Sequence, residues 1–340
     1  MIREKLWRVG AAILIMLAVS ISSPAQDQAS AKSKRAARAE EAATLPAALW
    51  HDPGDPATLD LYYGAGGREH VPDPHGTYTF EDEDLKHSSP KIDVVDARGE
   101  HWRIKLGAEP RAETAATRLL WAAGYLVDED YYVDELAVRG LPKLHRGEKY
   151  VSEDGMVHGA RLERKNLKKL GDWSWFDNPF LDTKELNGLR VMMSLVNNWD
   201  LKTENNVIYA GDGERRYVVN DVGATFGNTG NVMARSKSDL QGYVKSKFIS
   251  RMTGDQVDFV MHERPFLLEV FDVPYYRERT RMQGITMHVP RADAKWLGER
   301  LAQLSDSQVR DCFRAAGYSP EEIDGYTKAV EQRIAALDSL

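Results

Sequence analysis

Residues 186–227 read LNGLRVMMSLVNNWDLKTENNVIYAGDGERRYVVNDVGATFG. Leu186, Leu189, Met192, Met193 and Val196 recur at helical spacing, so the run opens as a helix with one apolar face. A polar loop follows, carrying Asp200, Lys202 and Asn205. Two short strands, residues 206–209 and 216–219, flank the turn Gly211-Asp212-Gly213 as a hairpin, and the run then reaches Asp221-Val222-Gly223. The segment therefore delivers one acid and one amide from a loop, and a second acid from the end of a hairpin. Taken singly, Asp and Asn are ordinary loop residues, because their side chains satisfy turns. Their order is what carries information.

Phosphoryl transfer asks a protein for a carboxylate near the accepting hydroxyl. It also asks for an amide and a second carboxylate on a divalent metal, and a cation on the phosphates. The spacing D-x-K-x-x-N followed by D-x-G resembles the catalytic and metal-binding segments of the protein-kinase-like superfamily. Asn198 and Trp199 stand where ordinary protein kinases carry His-Arg, so the resemblance is to the atypical branches: HipA-type, phosphoinositide-kinase-like and secreted kinase-like proteins. It implies a two-lobed α+β fold, with a small β-rich N-lobe over residues 49–165 and a mainly helical C-lobe over 166–340. It implies Asp200 as the catalytic acid or base, Lys202 as a charge stabiliser, and Asn205 and Asp221 as metal ligands. ATP with magnesium, or manganese in its place, would be the donor, and the acceptor is an unidentified hydroxyl.

Upstream, residues 91–97 and 100–106 alternate apolar and polar around Arg98-Gly99, a second hairpin. On its second strand Trp102, Ile104 and Leu106 share one face and Arg103 and Lys105 the other. A helix over residues 111–125 begins behind Pro110, with Glu113 in its first turn. A strand Lys beside a helical Glu is most often a solvated surface pair worth little. In kinase-like proteins the same pair holds the nucleotide phosphates, and the resemblance extends that role to Lys105 and Glu113. Lys105 and Asp221 are then expected to face each other across a cleft, with Asn205 beside Asp221. Two loops compete for the phosphates: Gly64-Ala65-Gly66-Gly67, and the stretch from His87 through Ser88, Ser89 and Pro90 to Lys91. The second precedes a strand and is the favoured one.

Composition sets the remaining bounds. The chain has 340 residues, 42% hydrophobic and 29% charged, which is ordinary for a folded protein with a sizeable core. Its formal charge of −7 leaves no basic field for nonspecific nucleic-acid binding. Residues 1–25 have a basic start (Arg3, Lys5, Arg8), an apolar run over 9–21, and small residues at Ser23-Pro24-Ala25. That is the pattern of a signal peptide, too short to span a membrane comfortably. The expectation is an exported protein, periplasmic or secreted, with no stable span after cleavage. Residues 26–48, rich in Ala, Lys, Arg and Glu, read as a flexible tether.

Further strands are expected over 128–136 and 156–164. Helices are expected over 239–250, 264–270, 291–303, 305–316 and 320–337, with Ser305/Gln308 and Ser319/Glu322 as capping pairs. Residues 228–231 fall where an activation segment would lie, with no Ala-Pro-Glu motif closing it. The aromatic run 173–180 reads as packing, and the single Cys312 as a buried, inert thiol. The histidines form no zinc signature. Two other functions share these residues. One is an exported binding or scaffold protein that keeps the fold without turnover; the other is a transferase using a different nucleotide donor.

Overall fold

The computed structural model describes residues 44–86, 89–229, 235–261 and 273–340. The leader, most of the tether, Ser88, residues 230–231 and the helix expected over 264–270 lie outside the described residues. A two-residue strand, β1 (Ala47–Ala48), falls within the stretch read as tether. Behind it, strands whose side chains alternate between apolar and polar curl into a closed barrel. These are β2 (Tyr78–Asp84), β3 (Lys91–Asp96), β4 (His101–Lys105), β5 (Asp130–Arg139) and β6 (Met156–Arg164), in the order β2-β3-β4-β6-β5. Ile92, Val94, Trp102, Ile104, Leu136 and Leu162 fill the interior. Because side chains alternate, the outer face of the same strands carries Lys91, Asp93, Arg103, Lys105, Arg161 and Glu163.

β2 is a strand to which the sequence analysis assigned no element, since its second half is Glu81-Asp82-Glu83-Asp84. The carboxylates are tolerated because they have partners. Glu83 accepts the backbone N–H groups of His145 and Arg146 at 3.0 Å, and Glu81 pairs with His101 at 2.9 Å.

The first helix, α1 (Pro110–Ala122), is buried almost all round. Pro110 at its first turn has the backbone angle a helix start needs. Ala112, Ala115, Ala116 and Leu119 pack into a second apolar core, while Glu113, Thr117 and Arg118 turn to the charged outside of the barrel. A four-stranded sheet follows in the order β1-β9-β8-β7, built from β7 (Lys168–Asp172), β8 (Asn206–Gly211), β9 (Glu214–Val219) and β1. Between β7 and β8 runs α2 (Lys184–Leu195), whose N-terminus is capped by the Thr183 hydroxyl on Leu186 N–H. Trp173 and Trp175 are buried in this part, their tilted rings 4.9 Å apart between centroids, with Tyr217 and Phe180 around them, so the aromatic run packs the core.

The C-terminal part is less uniformly helical than expected. α3 (Leu240–Lys245) stops short, and the chain turns into β10 (Ile249–Thr253) and β11 (Gln256–Phe259). Val257 and Phe259 are buried and fix this sheet's register, whereas residues 250–253 lie exposed and give no periodic signal. α4 (Val273–Gly284) leads to β12 (Val289–Pro290), which adds to β11. The chain ends in α5 (Arg291–Leu301), α6 (Asp306–Ala315) and α7 (Pro320–Asp338). Both expected capping boxes, Ser305/Gln308 and Ser319/Glu322, are formed. The architecture is α+β, β-rich in its N-terminal part and mainly helical in its C-terminal part. Among the described residues no helix is long and apolar enough to cross a membrane.

Candidate active site

The site grows from strand register. Lys91 on β3 pairs with Lys105 on β4, and Lys105 pairs with Arg161 on β6, so three cations form a row across the outside of the barrel. Like charges directly opposite one another weaken a sheet. Here carboxylates from elsewhere in the chain interleave with them. Lys105 Nζ lies 2.6 Å from Glu109 Oε2 and 2.9 Å from Glu113 Oε2, both supplied by the start of α1. It also donates to Asp221 Oδ1 at 2.9 Å, from the loop after β9. Arg161 faces Glu113 at 3.3 Å, Asp130 at 3.4 Å and Glu163 at 2.5 Å. Arg118 closes the other end on Asp130 at 2.9 Å.

Burial makes these pairings strong and their protonation unusual. Removal from water would lower the Lys105 pKa, but Glu113, then Asp221 and Glu109, drive it well above the ordinary lysine value. The Lys105 ammonium is therefore permanent. Burial would raise Glu109, yet Lys105 and then Lys237 hold it down to about 2. Burial would raise Asp221 too, and Lys105 and Lys91 more than reverse it. Glu113 behaves differently: it is almost wholly enclosed, and burial pushes it up to about 7 against the pull of Arg161 and Lys105.

The loop over residues 197–205 is held by its ends. Asn197 adopts a left-handed backbone conformation (φ 57°), and its amide donates to Gly227 O at 2.7 Å and Ser246 Oγ at 2.6 Å. Arg333 reaches in from α7 and donates to the carbonyls of Ser194 and Leu195 at the end of α2, and to Asn197 Oδ1. A cation at a helix C-terminus satisfies carbonyls that the helix leaves unpaired. Asp200 is left with a partly exposed carboxylate, 3.3 Å from Lys202 Nζ. Asn205 donates its amide to the Asp200 carbonyl at 2.7 Å. Its own carbonyl accepts from the N–H groups of Asn220 and Asp221 at 2.9 and 3.3 Å, which ties the loop to Asp221.

Of the residues singled out from the sequence, Lys105, Glu113 and Asp221 share one contact cluster. Lys91 stands beside Lys105 in register, and Asn205 touches Asp221 through the backbone. Ser89 reaches the cluster through Glu109, to which its hydroxyl donates at 2.8 Å. Asp200 and Lys202 form their own pair on the loop. The alternative loop, residues 64–67, packs against α1 and β5, with Ala65 lining the cavity between β6 and the β8–β9 hairpin. A Cβ at Gly64 (φ 67°) would sit 2.5 Å from Arg118 Nε, and one at Gly66 would sit 2.1 Å from the Tyr131 hydroxyl. Those glycines permit close packing against α1 and β5.

Sequence reasoning missed Glu109, Arg161, Lys237 and Arg333. Glu109 carried a signal, four positions after Lys105, whereas Arg161 is set beside Lys105 only by strand register. Lys237 and Arg333 carried none, since only the fold brings them near.

The cluster suits a hard divalent cation. Glu109, Glu113 and Asp221 each offer a carboxylate oxygen, all within 4.8 Å of one another. Among the described residues neither oxygen of Glu113 makes a hydrogen bond despite near-complete burial; its contacts with Lys105 and Arg161 are ionic. Beside the cluster a cavity of about 460 Å³ opens between β6, the residues that follow it and the β8–β9 hairpin. Asp128, Glu163, Arg164 and Tyr209 are among its lining residues, and Asp128 accepts a 2.6 Å hydrogen bond from Asn220, the neighbour of Asp221.

No protein-family model matches this chain, and no curated protein matches it. Among solved structures it is similar to the Helicobacter pylori proinflammatory kinase CtkA, at 9% identity and a TM-score of 0.41, covering 77% of this chain and 93% of that one. It is similar also to a Golgi casein kinase with Mn and ADP bound, at 9% identity and a TM-score of 0.42, covering 79% of this chain and 72% of that one. At these scores the likenesses carry no weight for chemistry, which rests on the contacts described above.

Proposed function

We propose that the protein is a kinase-like phosphotransferase that binds a nucleoside triphosphate with a divalent metal and passes its terminal phosphoryl group to a hydroxyl acceptor. The observation that carries this is the Lys105 cluster. One permanently charged ammonium meets Glu113 from the following helix and Asp221 from a D-x-G turn 116 residues away in sequence. A surface lysine needs no such enclosure, whereas an ammonium that must meet phosphates in a fixed place does.

In this proposal Lys105, steadied by Glu113, holds phosphate oxygens. Asp221 and Glu113, with the Oδ1 of Asn205, which accepts no hydrogen bond among the described residues, would hold magnesium or manganese. The metal supplies neutralisation of charge on the phosphates. Asp200, partly exposed at the loop, orients the acceptor hydroxyl and takes its proton, with Lys202 balancing the charge. The basic and then apolar leader supports export, so the reaction would run in the periplasm or outside the cell. A second reading is favoured by the cavity: charged groups line it where an adenine slot is usually apolar, which suits a transferase with another nucleotide donor.

Thermal unfolding with nucleotides, with and without magnesium, tests the proposal. A ligand present at about a hundred times its Kd adds roughly 2.7 kcal/mol to the native state. The expected result is a magnesium-dependent rise in midpoint that Asp221→Asn abolishes. No rise with any nucleotide would leave only an exported binding or scaffold protein.

A further inference from the structure

Glu109 makes more contacts than the start of a helix needs. Lys105 Nζ lies 2.6 Å from its Oε2, the Ser89 hydroxyl donates to that oxygen at 2.8 Å, and Lys237 pairs with its Oε1. These donors come from β4, from the stretch just before β3, and from the segment that follows the D-x-G turn. That last segment is anchored beside Asp200. The Trp199 indole N–H donates to Ser236 O at 3.1 Å, while the cations of Arg235 and Lys237 lie 4.3 and 5.8 Å from the ring centroid. Lys91, nine-tenths buried, makes no hydrogen bond or ion pair among the described residues. Gly223 fixes where Glu109 can lie, since a Cβ there would stand 2.7 Å from the Glu109 Cβ.

Two lysines and a hydroxyl therefore converge on one carboxylate, and a third lysine, Lys91, lies nearby without a hydrogen bond or ion pair among the described residues. A carboxylate can accept from all three, and a phosphate group, with its extra oxygen and extra charge, could accept from the same donors and from Lys91 as well. We propose that Glu109 holds the place of a donor phosphate, and that Lys237 and Ser89 pass from Glu109 to the polyphosphate when a nucleotide enters. The inference rests on the phosphotransferase function proposed above. It makes Glu109 a competitor of the donor, not a ligand of the metal, and makes Lys237 a phosphate-binding residue.

The test is calorimetric binding of ATP and of inorganic pyrophosphate in EDTA, where a metal-ligand role cannot contribute, with magnesium titrations alongside. Glu109→Gln is expected to bind both probes roughly tenfold tighter than wild type, the scale of one charge-assisted hydrogen bond. Glu109→Asp keeps the charge but draws it back from Lys237, and is expected to fall between. Adding Lys237→Ala to Glu109→Gln is expected to return the gain. Cooperative melting shows which variants fold, and Glu109→Asp stands in if Glu109→Gln does not. Unchanged or weaker binding in the folded Glu109 variants overturns the exchange, and a double variant as tight as Glu109→Gln removes Lys237 from it. If wild type still binds nucleotide with magnesium in either case, the phosphotransferase proposal survives. No binding by any form, with or without magnesium, ends both.

Discussion

Glu109, the residue just before α1, and Glu113, in its first turn, titrate in opposite directions, and pH separates them. Glu109 is held down to about 2, so its folded pKa lies below the ordinary glutamate value. Its contribution to stability is fully present above the unfolded pKa and is lost as pH falls from about 4.5 toward 2. Glu113 is pushed up to about 7, so between about 4.5 and 7 the folded state binds a proton that the unfolded chain has released. Its contribution therefore turns unfavourable as pH rises through that window. Urea midpoints measured from pH 3 to 8 are expected to show both slopes. Glu109→Gln should flatten the acid limb alone, and Glu113→Gln the limb between pH 5 and 7 alone. Identical profiles for the two variants would mean that the environments do not differ as the contacts require.

At the scale of elements, the loop that carries Asp200 depends on a helix far along the chain. Arg333 of α7 is buried with no carboxylate partner among the described residues, and burial lowers its pKa. Its guanidinium is satisfied by carbonyls and amide oxygens at the junction of α2 and the loop. It also stacks 4.1 Å from the Tyr243 ring of α3. Arg333→Met keeps most of the volume but orphans those carbonyls, each costing on the order of 1–3 kcal/mol when buried without a partner. The expected loss, by urea unfolding, is about 3 kcal/mol. Arg333→Lys should recover little, because one ammonium cannot reach both the α2 terminus and the Tyr243 and Ser246 side of the junction. Full recovery by lysine would show that charge alone, and not the planar fork, is what the junction uses.

Across the whole molecule two apolar cores, the barrel interior and the larger core around α1 and α2, meet along a seam of buried charge. The cores were largely legible in the sequence. Alternation at Trp102, Ile104 and Leu106 gave β4, helical spacing gave α2, and Ser-x-x-Gln and Ser-x-x-Glu marked the starts of α6 and α7. β2 was hidden because its acidic residues find partners only across the barrel, and β10 because its exposed side chains follow no period. The seam was legible only in part. Lys105, Glu113 and Asp221 stand in a recognisable order, but Arg161 looks like any polar residue on an alternating strand until register sets it beside Lys105.

That hidden residue is where the molecule is most exposed to damage. Arg161 is 2% exposed and faces Glu113 of α1, Asp130 of β5 and Glu163 of its own strand, so it joins the barrel to the helix that supplies the site. Removing one member of a buried ionic network costs about 3–5 kcal/mol, because the partners are left charged and dry. Against a total stability on the order of 5–15 kcal/mol, that is a large fraction. Arg161→Met is therefore expected to lower the urea midpoint steeply, and to do so equally at low and high salt, since buried pairs are little screened. Glu163→Gln, at the rim of the same network, should cost far less. The slope of the transition distinguishes two kinds of failure. If the cores unfold together through the seam, the denaturant dependence stays that of the wild type; if Arg161 is what couples them, it falls and the transition splits. A loss below about 1 kcal/mol, the range of surface pairs, would mean that the seam is solvated and that Glu113 is not held by Arg161.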